Sequence, residues 1–260
     1  MKIQIALTIE NLVATGVINK ATRRVVPKGL RTPGPTGMSL MRDEVTISVR
    51  DLVVAMLTIS DNVATDELID LAGLDEINRT TRELGLGRTE IKSDLRTMLE
   101  DMAREVGFRD FAALISHNPD VDGAPSADDL ARQLEGTAAL DPSRGSRTTA
   151  FETVSLLQAI WTDRAGRPEA CQSVRETMAR QLTRNRIGSG FDAPLKIAAK
   201  SGALMGAVRN EAGVVTYPDG SAFAVAVFTR KVHGNRTHPT VIDQRIGQIA
   251  RRLVEDLRTK

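Results

Sequence analysis

The chain has 260 residues, of which 41% are hydrophobic and 26% charged, a composition typical of soluble globular proteins. Its formal net charge of +2 and dispersed arginines indicate no nucleic-acid partner, and no run of 18 apolar residues predicts a membrane span. The single cysteine, Cys171, excludes an intrachain disulfide. Three histidines without ligand spacing predict no metal site.

The first two thirds of the sequence have the apolar spacing of helices. The predicted helices span about 2–16, 48–60, 63–71, 74–84, 93–117, 126–135, 148–161 and 168–183. Residues 23–47 are rich in proline and glycine, so they are predicted to cross the surface as a loop with a short extended piece near Val45. Residues 1–190 are therefore expected to form a mostly helical subdomain.

The last third changes to the period of strands. Strands are predicted over about 195–200, 207–217 and 221–229, with a turn at Tyr217-Pro-Asp-Gly220 before the third. Apolar residues from Ile242 to Leu257 recur at steps of three or four, which predicts an amphipathic helix packed on this antiparallel sheet. Residues 191–260 are thus expected to form the sheet-and-helix subdomain of an α+β protein.

One predicted strand does not suit the edge of a three-stranded sheet. Residues 222–228 contain no polar side chain, a pattern typical of a strand covered on both faces in the middle of a sheet. As the last strand of the meander it would leave one apolar edge unpaired. We therefore expect that the N-terminal strands of the fold are missing from this sequence.

Two short motifs and one lysine are candidates for chemistry. Ser-Asp-Asn at 60–62 ends an apolar helical run, Lys-Ser-Gly at 200–202 lies on the first predicted strand, and Lys2 begins the first helix. Lysines beside hydroxyls can take or relay a hydroxyl proton during nucleophilic attack, if these groups converge. The alternative for 60–62 is a simple helix cap, because these side chains all cap helices well.

The two motifs, in this order and structural context, resemble the serine β-lactamases and penicillin-binding proteins, class A β-lactamases in particular. A third element of that family, Ser-x-x-Lys, comes first along the chain, and Lys2 with the helix after it resembles its lysine. The resemblance covers nearly the whole sequence, including the helix begun by Thr148-Thr149. It implies the β-lactamase/transpeptidase-like fold, no cofactor, and a small-molecule substrate with a carboxylate.

The resemblance also implies roles for individual residues. Lys2 would be the catalytic lysine, Ser60 would relay a proton to the leaving nitrogen, and Lys200 would support Ser60 electrostatically. Asn62 would hydrogen-bond the amide side chain of the substrate.

Four further residues would bind the substrate. Ser201 would bind its carboxylate, while the backbone at Gly202 and Ala203 would supply an N–H group to the oxyanion. Arg209, on the next strand, would pair with the same carboxylate. The alternative for Arg209 is a solvated strand arginine.

The sequence departs from the family pattern in two places. The serine of Ser-x-x-Lys would stand two residues before Met1, so we expect the sequence to be part of a longer protein. Ser39-Leu-Met-Arg42 has the spacing but ends in arginine and lies in a loop, and it is not expected to be the nucleophile. The Glu-x-x-Leu-Asn element that serves deacylation is not found before Thr148, because the surroundings of Glu135 do not match it.

Three hypotheses follow from these patterns. The first is a serine hydrolase that acylates and deacylates on a β-lactam or a related amide or ester. The second is a peptidase or esterase on the same fold, favoured by the missing Glu-x-x-Leu-Asn element. The third is a non-catalytic binding protein that lacks the nucleophile. The sequence contains no secretion signal and does not predict the compartment.

Overall fold

The computed structural model describes residues 1–29, 31–121, 124–192, 195–232, 234 and 237–259. The helices within them are α1 (Lys2–Ala14), α2 (Val49–Thr58), α3 (Asn62–Ala72), α4 (Leu74–Glu83), α5 (Leu95–Glu105), α6 (Phe111–Ile115), α7 (Ala127–Glu135), α8 (Ala150–Trp161), α9 (Pro168–Met178) and α10 (Pro239–Arg258). The strands are β1 (Arg23–Val26), β2 (Val45–Ser48), β3 (Lys196–Leu204), β4 (Val208–Thr216) and β5 (Ala222–Arg230).

Helix α1 is the centre of the helical part. Every residue from Ile3 to Ile9 is buried, including the polar Gln4 and Thr8. A helix buried around its whole circumference belongs inside a protein, and α1 packs against α2, α3, α4 and α9. Lys2, in the first turn of α1, is therefore carried by the most enclosed helix of the core.

The helical part also contains a two-stranded sheet. Strands β1 and β2 pair antiparallel, with Arg23 opposite Ser48 and Val26 opposite Val45. The prediction placed an extended piece near Val45, where β2 lies, but missed its partner β1. Strand β1 has four residues, two of them arginines, and only Val26 is buried, which leaves no strand periodicity in the sequence.

The helix predicted over 93–117 is two helices, α5 and α6. Gly107 lies between them with φ of 86°, a conformation that glycine adopts without steric cost. Asp110 then caps α6 by accepting the N–H of Ala113 at 2.7 Å. The apolar spacing continues across the break because both helices bury leucines and aromatics in one small cluster with α7.

The second sheet has the order β3-β4-β5, antiparallel throughout, as predicted. Side chains alternate between the faces of a strand. One face, with Ala198, Ala212 and Val214, joins the main core beside α8 and α9, whereas Val215 and Val225 on the other face pack against α10. None of the helices in the described ranges is both long and apolar enough to cross a lipid bilayer.

Helix α10 lies directly on the turn Ile187–Gly190. A side chain at Gly190 would overlap the carbonyl of Gly247 on α10, and one at Gly247 would overlap the backbone of the turn. The two glycines therefore allow a backbone-to-backbone contact, and this contact sets the distance between α10 and the sheet. This contact also fixes Asp243, one turn earlier on α10, against the turn residue Arg186.

Candidate active site

A cavity of about 280 Å³ lies between the start of α1, the α2–α3 junction and β3. It is lined by predicted site residues from three distant parts of the sequence. These are Lys2, Ser60, Asn62, Lys200, Ser201, Gly202 and Ala203. The structure thus places seven of the eight predicted residues around one space.

Ser60 stands in the turn between α2 and α3 with a strained backbone. Its φ of 60° is left-handed, which is uncommon for a residue with a side chain and is found most often at functional sites. This turn brings two Ser60 oxygens to Lys2, whose Nζ donates to the Ser60 carbonyl at 2.7 Å and lies 3.2 Å from Oγ. Ser60 therefore faces Lys2 rather than capping a helix.

The cap is provided by Asp61 instead. Its carboxylate is buried and accepts the N–H of Ala64 at 3.1 Å, at the start of α3, and the N–H of Met38 at 2.8 Å. The helix-cap alternative for the motif thus holds for its middle residue. By fixing Asp61 to two separate segments, these bonds hold Ser60 and Asn62 on either side of it.

Asn62 completes the group around Lys2. Its Oδ1 accepts from Lys2 Nζ at 2.9 Å, and its Nδ2 donates to the carbonyl of Pro33 at 2.9 Å. With both ends of the amide bonded, the side chain has one orientation. Lys2 Nζ consequently lies among oxygens of residues 60–62, where a group that exchanges a proton with Ser60 would have to lie.

We expect Gly37→Ala to destabilise the protein by more than the positive φ of Gly37 alone would cause. A Cβ on Gly37 would overlap Oδ2 of Asp61, whereas one on Gly16 would meet nothing within 4 Å, and both glycines have positive φ, 66° and 77°. Gly37→Ala should therefore cost about 1–3 kcal/mol more than Gly16→Ala. Urea unfolding of both variants measures the difference, and equal losses would contradict the overlap.

Lys200 faces the cavity from β3. The residue is only 7% exposed, and its Nζ donates to the carbonyl of Ser201 at 2.8 Å. The next backbone N–H, that of Ser201, donates to the side-chain oxygen of Gln181 at 2.5 Å. Because N–H groups alternate between the edges of a strand, Ala203 directs its N–H to this same edge.

Gln181 and Glu211 support this strand and were not predicted from the sequence. Both are buried, and Gln181 Nε2 donates to Glu211 Oε1 at 2.9 Å. Glu211 also accepts the N–H of Ile187 at 2.6 Å, from the turn under α10. The one signal in the sequence was Glu211 directly before the apolar run of β4, because a buried carboxylate needs partners.

Burial makes Lys2 and Lys200 weaker bases than a lysine in water. It lowers the pKa of Lys2 from 10.5 to about 7, and the charge of Lys200 lowers it as well, against an opposing effect of Asp61. Burial likewise lowers the pKa of Lys200 to about 8, opposed by Glu211. A lysine with a pKa near 7 is neutral often enough to accept a proton at physiological pH.

These pKa values predict that the protein becomes more stable as pH rises above about 7. In the unfolded chain both lysines stay protonated up to about pH 10. Between the lowered pKa values of the folded protein and this pH, the unfolded chain therefore binds more protons than the folded protein. The free energy of unfolding should therefore rise with pH across this window. Urea unfolding from pH 6.5 upward measures it, and Lys2→Met should flatten the slope; an equal slope in both proteins would contradict the pKa of Lys2.

Arg209 is the predicted residue that the structure places elsewhere. Its side chain does not line the cavity; its Nε and Nη2 donate to Asp243 of α10 at 2.8 and 2.6 Å. Asp243 occupies the guanidinium fork that the predicted substrate carboxylate would use. Arg209 pairs with Ala203 across the strands, and its side chain leaves the sheet toward α10. Its role in binding a substrate carboxylate stays a prediction.

Ser39 does not lie at the cavity. Its hydroxyl is bonded to the carbonyls of Gly34 and Thr36, each at 2.7 Å. Both contacts are local to the loop before β2, and Ser39 is not among the lining residues of the cavity. This agrees with the expectation that Ser39 is not the nucleophile.

The comparisons with known proteins agree with this geometry. The profile of the beta-lactamase enzyme family matches residues 1–257. The sequence is 30% identical over 271 residues to the beta-lactamase regulatory protein BlaB of Streptomyces cacaoi, covering 99% of this chain and 84% of that protein.

Solved structures match over 98% of the chain. A beta-lactamase from Sphaerobacter thermophilus has a TM-score of 0.73 at 24% identity, with 80% of its chain covered. A structure of PBP-A has a TM-score of 0.71 at 19% identity, with 79% of its chain covered. These matches confirm the predicted α+β, β-lactamase/transpeptidase-like fold.

The fold is that of the serine β-lactamases and penicillin-binding proteins. Within that class, the chain belongs to the beta-lactamase enzyme family.

Proposed function

We propose that this protein is a serine hydrolase that binds a β-lactam or a related amide or ester and acts by acylation and deacylation. The observation that carries the proposal is the contact of Lys2 Nζ with Ser60 and Asn62, opposite Lys200 in the same cavity. Lys2 would accept the proton of a serine hydroxyl one helical turn before it. Ser60, between Lys2 and the cavity, would pass a proton to the leaving nitrogen.

The β3 side of the cavity would bind the substrate. Lys200 and the Ser201 hydroxyl would hold its carboxylate through charge-assisted hydrogen bonds. The Ala203 N–H, at the open edge of β3, would donate to the carbonyl oxygen as it becomes negative. Asn62 would hydrogen-bond the amide of the acyl group, which requires that it exchange its bond to Lys2 for the substrate.

A non-catalytic binding protein is the second candidate. It is favoured by the relative from Streptomyces cacaoi, which is described as a regulatory protein. The same residues would then bind a β-lactam without cleaving it. A peptidase or esterase differs from the first proposal only in its substrate, and the missing Glu-x-x-Leu-Asn element favours slow reaction with β-lactams.

A fluorescent penicillin tests the acyl-transfer proposal on this chain. Two variants extended ahead of Met1, by Ser-Ala and by Ala-Ala, differ only in a hydroxyl one helical turn before Lys2. We expect covalent labelling of the serine variant alone. Reversible binding by both variants without labelling would favour the binding protein, and labelling of an internal serine such as Ser39, mapped by mass spectrometry, would contradict the assigned site.

Turnover separates the two enzymatic alternatives. Hydrolysis of a chromogenic cephalosporin supports a β-lactamase, whereas hydrolysis of an ester with little effect on the cephalosporin supports a peptidase or esterase. The alanine-extended variant is the matched control for both substrates.

A further inference from the structure

We propose that Glu152 activates a water molecule in the cavity through two threonine hydroxyls, those of Thr89 and Thr148. The inference rests on the proposed function, because an activated water is useful only where an acyl group is bound. It assigns to this chain a carboxylate for the hydrolytic step, from a part of the sequence where no such role was predicted.

Three side chains form a continuous line from a buried carboxylate to the cavity. Glu152, in the first turn of α8, is 8% exposed, and its Oε2 accepts from the hydroxyl of Thr89 at 2.6 Å. Thr89 is also buried, and its Oγ1 lies 2.8 Å from Oγ1 of Thr148. Thr148 lines the cavity that Lys2 and Lys200 share.

The direction of the hydrogen bonds follows from the number of protons. A hydroxyl has one proton to donate, and that of Thr89 is committed to the Glu152 carboxylate. In the contact between the two threonines, Thr148 must therefore be the donor. Thr148 Oγ1 also lies 3.3 Å from Oγ1 of Thr153, whose own proton goes to the carbonyl of Thr149. Thr148 therefore keeps a lone pair that can accept from a water in the cavity.

A water bound in the cavity would donate one proton to Thr148 and keep a lone pair for the carbonyl carbon of the acyl group. Gln4 also lines the cavity, but its Oε1 is buried and has no hydrogen-bond partner in the part of the chain that the structure describes, so the water does not depend on it.

The water oxygen bonds to the acyl carbonyl carbon, and the carbonyl electron pair moves to its oxygen beside the Ala203 N–H. The water proton passes to Thr148, the Thr148 proton to Thr89, and the Thr89 proton to Oε2 of Glu152. When the tetrahedral intermediate collapses, the bond from carbon to the leaving oxygen or nitrogen breaks. The leaving group takes the hydroxyl proton of Ser60, and protonated Lys2, 3.2 Å away, reprotonates Ser60. Glu152 returns its proton through Thr89 and Thr148 to solvent, and solvent reprotonates Lys2.

Steady-state hydrolysis of a chromogenic cephalosporin by the serine-extended variant, the form expected to carry an acyl group, tests the relay. Thr148→Val and Thr89→Val remove one hydroxyl each, and Glu152→Gln keeps the shape but cannot take the proton. Each should lower kcat by about 100-fold with KM little changed, the usual loss when acid–base catalysis is removed. Thr148→Ser restores the hydroxyl and should restore kcat.

Thr162→Val is the matched control, because Thr162 is an exposed threonine at the end of α8. Unchanged kcat in Thr148→Val, or equal loss in Thr148→Ser and Thr148→Val, would overturn the relay. A serine-extended chain that penicillin labels but that does not hydrolyse the cephalosporin would also overturn it, while leaving acylation in place. A chain that does neither contradicts the proposed function itself.

Discussion

Asp243→Ala should lower the free energy of unfolding by about 3–5 kcal/mol, the range expected when one partner of a buried ion pair is removed. Asp243 is 2% exposed and accepts from two arginines, Arg186 at 2.9 Å and Arg209 at 2.6 and 2.8 Å. Without the carboxylate, the Arg186 guanidinium stays buried without its ion-pair partner. That residual charge, rather than the lost attraction, makes the effect large.

The effect should extend to β3. Arg186 Nη1 also donates to the carbonyls of Gly202 and Asn210, at 2.8 and 2.6 Å, so a displaced Arg186 loosens the strand that lines the cavity. Chemical denaturation measures the stability. Asp256→Ala, on an exposed position of the same helix, is the control and should be nearly neutral. A loss for Asp243→Ala no larger than that of the control would contradict the buried-charge argument.

Lys2→Met should slow penicillin labelling of the serine-extended variant by about 10²- to 10⁴-fold, the contribution of a positioned general base. Methionine keeps much of the side-chain volume, so the core around α1 should hold. The serine hydroxyl would then have no group with a pKa near 7 beside it. Labelling rates at fixed pH, measured by gel fluorescence, give the ratio.

Lys20→Met is the control for this second experiment, because Lys20 is exposed beyond the end of α1. Labelling of Lys2→Met at the rate of the control would show that Lys2 does not take the proton. Circular dichroism of both variants separates a catalytic effect from loss of the fold.

Most of the cavity was predictable because its residues lie in short motifs on regular elements. The apolar run before Ser60 and the strand around Lys200 are local patterns, and the order of the motifs matched a known family. The structure brings Lys2 to Ser60 across 58 residues, a contact that the family resemblance implied and that periodicity alone could not give. The main helices and the antiparallel meander were predictable for the same local reasons.

The parts that sequence reasoning missed depend on pairings between distant residues. Arg209 has the expected place on β4, yet its partner Asp243 lies 34 residues away on a helix whose polar positions read as a solvated face. Thr89 and Glu152 are separated by 63 residues, and neither belongs to a motif. Spacing along the chain carries no signal for such contacts, because they exist only once the elements have packed.

The burial of α1 has a consequence for hydrogen exchange. The amides from Ile5 to Ile9 lie in a helix whose side chains are inaccessible on all sides, so local fraying cannot expose them. They should exchange only through global unfolding, at the slowest rate in the protein. Lys2, one turn earlier in the same helix, is thus tied to the most persistent structural unit of the chain. An incoming ligand would have to adapt to its position, because moving Lys2 far would mean disrupting the core.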